Sequence, residues 1–309
     1  MFQGKLGFLN RWDIQKLTRF FIIGGLLVAV AGSYLWYSKL YMSNERVFWS
    51  AIENSMATPS VTRSISSGGT GNEVVQKQQM FFAPQAAFAT QVSFHQSSAT
   101  EETKVVTEGR AFPDALYSRY ASFSTNQKGE DGTVPTLEGV LGKWEGNVAT
   151  EESLENTKLD YMGELVTLVI FGNYDAKLRN RMLQELKDNN VYTFTDDSVV
   201  DEEVEGEPAK TYTATVHLKA YVGLLQKAFV DAGYGEFPPL DPSGYQDDAT
   251  VEAKIAISKR SGNVIGITYG TRQETYVGYG IIKQLERPEV EFEPGELETL
   301  VQEQLNGAL

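Results

Sequence analysis

The sequence predicts an α+β protein: an N-terminal transmembrane helix followed by a curved antiparallel sheet, shaped as a half-barrel, that helices cover. Three observations carry this. Residues 20–37 (FFIIGGLLVAVAGSYLWY) hold no charged side chain, the chain after Val61 alternates apolar and polar residues with the period of a strand, and a few segments of helical spacing interrupt those runs. A long row of strands with few covering helices must curl to bury one face, which leaves either a filled core or a cavity.

The apolar stretch comes first. As a helix rising about 1.5 Å per residue it is about 27 Å long, close to the hydrocarbon thickness of a bilayer, and Leu40 and Tyr41 extend it to residue 41. Lys5, Arg11, Lys16 and Arg19 precede it against Asp13 alone, while Lys39, Arg46 and Glu45 follow it. That bias predicts a cytoplasmic tail at residues 1–19, a span at 20–41 and an extracytoplasmic domain at 43–309 in the cell envelope. Trp36 and Tyr37, with Tyr34 and Tyr41, suit an aromatic belt at the outer headgroups. Ala29-Val30-Ala31 offers a signal-peptide cleavage pattern as the alternative, but apolar character continues through Tyr37, which favours an uncleaved anchor. No Cys follows the run, so a lipidated N-terminus is excluded.

Beyond the span, Ser43 is placed to cap a helix carrying Val47, Phe48, Ala51, Ile52 and Met56, with Thr58-Pro59 as its stop. Val74–Phe82 and Phe88–His95 read as paired strands around a turn at Pro84, and Lys104–Ala111 and Leu116–Phe123 continue the series. Ser124–Gly139 reads as a mobile loop. Leu159–Phe171 is apolar on most of its surface and predicts a buried helix. Leu178, Met182, Leu183 and Leu186 predict an amphipathic helix that ends near Asn189-Asn190. Strands are expected at Val191–Thr195 and Thr211–Leu218, joined by a solvated acidic connection from Asp196 to Glu207. A helix with Tyr221, Leu224, Leu225, Ala228 and Ala232 follows, with Gly233 as its stop. Strands around Val251–Ile257, Val264–Tyr269 and Glu274–Ile282 come next. An acidic extended piece, Pro288–Pro294, leads to a short helix bearing Leu297, Leu300, Val301 and Leu305.

Composition narrows the class. Removing Lys5, Arg11, Lys16, Arg19, Lys39 and Asp13 from the chain's 27 basic and 41 acidic residues leaves 22 against 40, a net charge of −18 for the outer domain. Such a surface repels phosphate backbones, so nucleic acid is not an expected partner. The absence of Cys excludes disulfides and thiolate metal sites, and no N-x-[ST] acceptor occurs, a combination that suits a bacterial envelope.

The hairpin Val204-Glu205-Gly206-Glu207-Pro208-Ala209-Lys210-Thr211-Tyr212, running into Val216-His217-Leu218-Lys219-Ala220-Tyr221-Val222, resembles one of the bacterial lipoprotein-carrier (LolA-like) superfamily. So does the later hairpin Ile255-Ala256-Ile257-Ser258-Lys259-Arg260-Ser261-Gly262-Asn263-Val264-Ile265. The similar stretches span roughly residues 191–279. The resemblance implies a half-open β-barrel whose lid helices hold acyl chains. Those carriers diffuse freely or hang from a lipidated Cys. A chain anchored through residues 20–41 would instead receive, sense or hand over at a membrane surface.

Chemistry is sparse. His95 and His217 sit at outward strand positions, and neither HExxH nor GxSxG occurs. Gly68-Gly69-Thr70-Gly71 lacks the Lys-Ser/Thr of a phosphate loop and reads as a hairpin tip. Asp241–Asp248 lacks the closing Glu of a calcium loop. No catalytic residue, metal site or cofactor is therefore expected. If a cavity exists, its lining is expected from Leu165, Leu168, Val169 and Phe171, from Tyr221 and Leu225, and from the aromatic loop with Tyr234, Phe237 and Tyr245. The expected function is a membrane-anchored binding module for a lipid or other apolar ligand under helical lids. The alternative is an envelope interaction or sensory scaffold with a filled core, acting on an envelope protein partner through its acidic surface.

Overall fold

The computed structural model describes residues 43–69, 71–128 and 132–306. The predicted tail (1–19) and membrane span (20–41) lie outside the described residues, among which no helix is long and apolar enough to cross a membrane. The chain divides into two compact units, residues 1–48 and 49–309, with the boundary inside the first described helix.

That helix, α1 (Asn44–Ser55), begins where Ser43 predicts, because the Ser43 hydroxyl accepts from the Arg46 backbone N–H at 3.3 Å. Its second half is fastened by side chains: Asn54 Nδ2 donates to the Gly262 carbonyl at 3.2 Å and Ser55 Oγ to the Ile170 carbonyl at 2.8 Å.

Twelve described strands form one curved, open sheet whose ladders are all antiparallel. They are β1 (Ser60–Gly69), β2 (Asn72–Phe81), β3 (Ala87–Ser97), β4 (Glu102–Phe112), β5 (Ala115–Thr125), β6 (Glu145–Val148), β7 (Tyr192–Thr193), β8 (Val199–Val204), β9 (Glu207–His217), β10 (Thr250–Ser258), β11 (Val264–Tyr269) and β12 (Arg272–Val277). Their order is β6-β5-β4-β3-β2-β1-β12-β11-β10-β9-β7, with β8 also on β9, so the first and last strands are neighbours at its middle. Four further helices follow the chain: α2 (Leu154–Glu164), α3 (Ala176–Asp188), α4 (Leu218–Asp231) and α5 (Glu296–Asn306).

Alternation along β2–β5 sends successive side chains to opposite faces. Met80 and its cross-strand partner Phe88 lie on one, where the Phe88 ring stacks on Tyr161 of α2 at 5.2 Å. Phe81, Ala87 and Phe112 lie on the other and pack with Tyr117, Trp144 and Leu285. Both faces of this end of the sheet are thus covered, the second by the chain that follows β12. Helix α5 buries Leu297 and Val301 against Leu137 and Val140, so the end of the loop predicted at 124–139 is packed into a core.

Four predicted elements are corrected. The helix expected over Leu159–Phe171 stops at Glu164: Gly163 weakens its last turn, and the β-branched Val166, Thr167, Val169 and Ile170 that follow disfavour its continuation. The strand expected to reach Ile282 ends at Val277, because Gly278 (φ +66°) and Gly280 (φ +78°) turn the chain out of the sheet. Only Tyr192 and Thr193 of the expected Val191–Thr195 strand pair with β9. The acidic run from Asp196 to Glu207 is not merely a connection, since Val199–Val204 pairs with β9 as β8. Glu205 (φ +51°) and Gly206 (φ +77°) form the tight left-handed turn between them.

Candidate functional site

The segment after α2 builds the wall of a pocket. It is irregular, yet its carbonyls are occupied: Tyr221 OH donates to Thr167 O, Tyr192 OH to Leu168 O at 2.7 Å, Thr167 Oγ1 to Val169 O at 2.5 Å and Ser55 Oγ to Ile170 O. The Gly172 N–H donates to Ser55 O at 3.1 Å and the Tyr174 N–H to Met56 O at 3.0 Å. Those bonds replace the helical ladder that the sequence predicted here. At Gly172 an added Cβ would lie 2.4 Å from the Tyr174 ring, so only glycine lets that ring fold back over the chain.

The segment then enters α3, whose N-terminus Asp175 caps by accepting from the Leu178 N–H at 2.8 Å. On the far side α4 stops at Gly233 (φ +82°), where Gly233 N–H bonds Val230 O at 3.0 Å and Tyr234 N–H bonds Phe229 O at 2.9 Å. That stop turns the Tyr234 ring back toward Tyr161, 5.9 Å between centroids, and toward Phe229 at 6.1 Å. Together Phe82, Leu165, Phe171–Asp175, Leu178, Phe229, Ala232 and Tyr234 line a half-open pocket of about 230 Å³. Burial pushes the phenols of Tyr161, Tyr174 and Tyr234 above their ordinary range.

Of the nine residues expected to line a cavity, Leu165, Phe171 and Tyr234 meet here. Val169, Tyr221, Leu225 and Phe237 are core residues, Phe237 lying edge-on to Phe229 at 6.0 Å. Leu168 and Tyr245 are half-buried outside the lining. Sequence reasoning missed Phe82, Tyr174, Phe229 and Ala232, which come from the end of a strand, a loop and the end of a helix. Only their topology unites them.

A second cluster lies beside this pocket on the same face of the sheet. Arg63 is buried at 3% exposure on β1, between its cross-strand partners Gln78 of β2 and Tyr276 of β12. Its Nη2 donates to Gln78 Oε1 at 2.7 Å and to the Glu164 carbonyl at 3.3 Å. Gln78 Nε2 in turn donates to Glu164 Oε2 at 2.8 Å. The buried Glu274 carboxylate accepts from Arg272 Nε at 2.5 Å, from Tyr276 OH and from Tyr269 OH at 3.4 Å. Tyr276 stacks on Phe171, 4.8 Å between centroids, so the polar cluster and the pocket share a wall. The inward parity of Arg63, two residues from the buried Val61, was the available signal.

The remaining candidates are accounted for locally. His95 Nε2 lies 3.0 Å from Glu102 Oε1 at an exposed site, where hydrogen bonds from Lys104 and His95 pull the Glu102 carboxyl below the usual range. His217 ends β9 with its backbone N–H on Val191 O. Gly69 pairs with Asn72 at the β1–β2 hairpin tip. Asp241 accepts from Ser243 N at 2.8 Å and Ser243 Oγ at 2.6 Å, and Asp247 pairs with Lys219 at 2.5 Å, so both acids bond the chain's own donors.

No protein-family model matches the sequence, and no curated protein matches it. Among solved structures, the crystal structure of LprF from Mycobacterium bovis is similar to this chain at a TM-score of 0.36 and 10% identity, over 79% of this chain and 95% of that one.

Proposed function

We propose that the chain is a non-enzymatic binding module of the lipoprotein-carrier type, fixed to the cell membrane by residues 20–41, that holds a lipid or other apolar ligand beside α3 and the end of α4. One observation carries this reading: a half-open pocket of about 230 Å³ in which Phe82, Leu165, Phe171, Tyr174, Phe229 and Tyr234 stand beside Asn173 and Asp175. Pockets for drug-sized ligands begin at roughly 300 Å³, and this smaller one is open on one side. The pocket therefore suits the end of an acyl chain or a ring, not a whole lipid. In further support, both hairpins that carry the family resemblance form as hairpins, β8–β9 and β10–β11.

Native mass spectrometry and solvent extraction of the purified full chain test this reading. A co-purifying lipid is expected, and Leu165→Trp, which fills the pocket, should weaken binding of a fluorescent fatty-acyl probe by about tenfold or more. Recovery with neither lipid nor probe binding would sink the proposal. The topology has its own check: protease added outside right-side-out membranes should digest residues 43–309, and protection would overturn the assignment.

A second reading draws on the buried positions of Val169, Tyr221, Leu225 and Phe237, which fill space that a larger cavity would need. It makes the domain an envelope interaction or sensory scaffold that meets a basic partner through its acidic surface. Crosslinking that captures one stoichiometric basic protein, together with an empty ligand assay, would favour it.

A further inference from the structure

Arg63 is a buried charge whose hydrogen-bonding capacity the fold leaves half used. Of the guanidinium N–H groups only those on Nη2 find acceptors, while Nε and Nη1 are buried without a partner. A desolvated guanidinium with open donors is destabilising unless an anionic oxygen completes it, and planar N–H groups suit carboxylate or phosphate oxygens. Neither neighbouring acid fills the role. Glu274 bonds Arg272, Tyr269 and Tyr276. Glu164 Oε2 stands 3.7 Å from Nη2, beyond hydrogen-bond length, with its side chain 44% exposed and bonded to Gln78.

The surroundings add direction. Glu164 ends α2 and is followed by Leu165, a wall of the pocket, while Tyr276 on the other flank of Arg63 stacks on Phe171, another wall. A molecule with an acidic head and an apolar chain would satisfy both features at once, its head at the buried donors and its chain among the aromatic rings. Arg63 and Gln78 lie behind the pocket lining, so such a head reaches the buried donors by displacing the half-exposed Glu164 carboxylate.

We propose that Arg63, together with Gln78, recognises the carboxylate or phosphate headgroup of an amphiphile whose apolar end occupies the neighbouring pocket. This rests on the pocket reading above and names its ligand class. Titration calorimetry on the full chain, with octanoate, octyl phosphate, 1-octanol, acetate and inorganic phosphate, tests it. The Arg63→Gln variant is run in parallel so that uptake by the solubilising detergent cancels.

Both anionic amphiphiles are expected to bind about tenfold or more tightly than octanol, the size of a charge-assisted hydrogen bond. Arg63→Gln should erase that advantage, bringing octanoate and octyl phosphate to the affinity of octanol. Should that variant not fold, Glu164→Gln serves instead: removing the competing carboxylate is expected to tighten octanoate several-fold without affecting octanol. Equal affinity for octanoate and octanol would overturn the role of Arg63 while leaving the pocket reading intact. Acetate or inorganic phosphate binding as tightly as octanoate would overturn the amphiphile in favour of a free anion. Loss of all binding, octanol included, would overturn the pocket reading and this one with it.

Discussion

Phe112→Ala is expected to destabilise the domain by about 3–5 kcal/mol, measured as a fall in the urea midpoint at unchanged slope. The side chain is fully buried at the end of β4, in the cluster with Phe81, Ala87, Tyr117, Trp144 and Leu285. Its ring meets Tyr117 edge-on at 6.0 Å, and the Arg287 guanidinium lies 4.8 Å over it. Both oxygens of Asp114 hold that guanidinium there, at 2.6 and 2.8 Å. Truncation therefore removes apolar burial, an aromatic pair and a cation–π contact together. Because this cluster occupies the face opposite Met80 and Phe88, ligand affinity should not change. A loss below about 1 kcal/mol would contradict the packing described.

Glu274→Ala should cost about 2–4 kcal/mol by the same measurement, for a different reason. The carboxylate is buried and tolerable only because Arg272, Tyr276 and Tyr269 donate to it. Burial, reinforced by the Glu274 charge, holds the Tyr276 phenol well above its ordinary pKa, so that hydroxyl is a fixed donor. Removing the acceptor strands it in a buried site. Arg272 suffers less, since its side chain is 42% exposed and can turn to solvent. Glu274→Gln keeps an acceptor and should lose less than the alanine variant. Equal losses would mean that the hydrogen bonds contribute nothing.

These two sites differ in how visible they are to sequence reasoning. Alternation marks β2–β5 plainly, and helical spacing with a capping Ser43 or a stopping Gly233 marks α1 and α4 within a residue or two. Those signals are local, and so they survive without knowledge of the fold. The run from Leu165 to Phe171 fails because a continuous apolar stretch reads the same as a buried helix or as an irregular segment whose carbonyls are met from elsewhere. Here Tyr192, Tyr221 and Ser55 decide the matter, from as far as 115 residues away. Arg63 and Gln78 escape sequence reasoning because polar residues on a strand are ordinarily assigned to solvent. Only the strand order, with β2 and β12 on either side of β1, turns them inward together.

That strand order also sets a timetable. In one arm strands β2 to β5 join neighbours along the chain through short hairpins, as do β10 to β12 in the other, whereas β9 meets β10 only across α4. The seam between the arms pairs Thr62 with Val277, so β1 is made early and gains its second neighbour only when most of the chain exists. At about 5–20 residues per second, ribosomal synthesis leaves that edge bare for roughly 10–40 s. A bare strand edge invites pairing with the wrong chain. A chaperone that shields newly made strands should therefore matter most for the segment bearing Arg63, whose two neighbours are made so far apart in time.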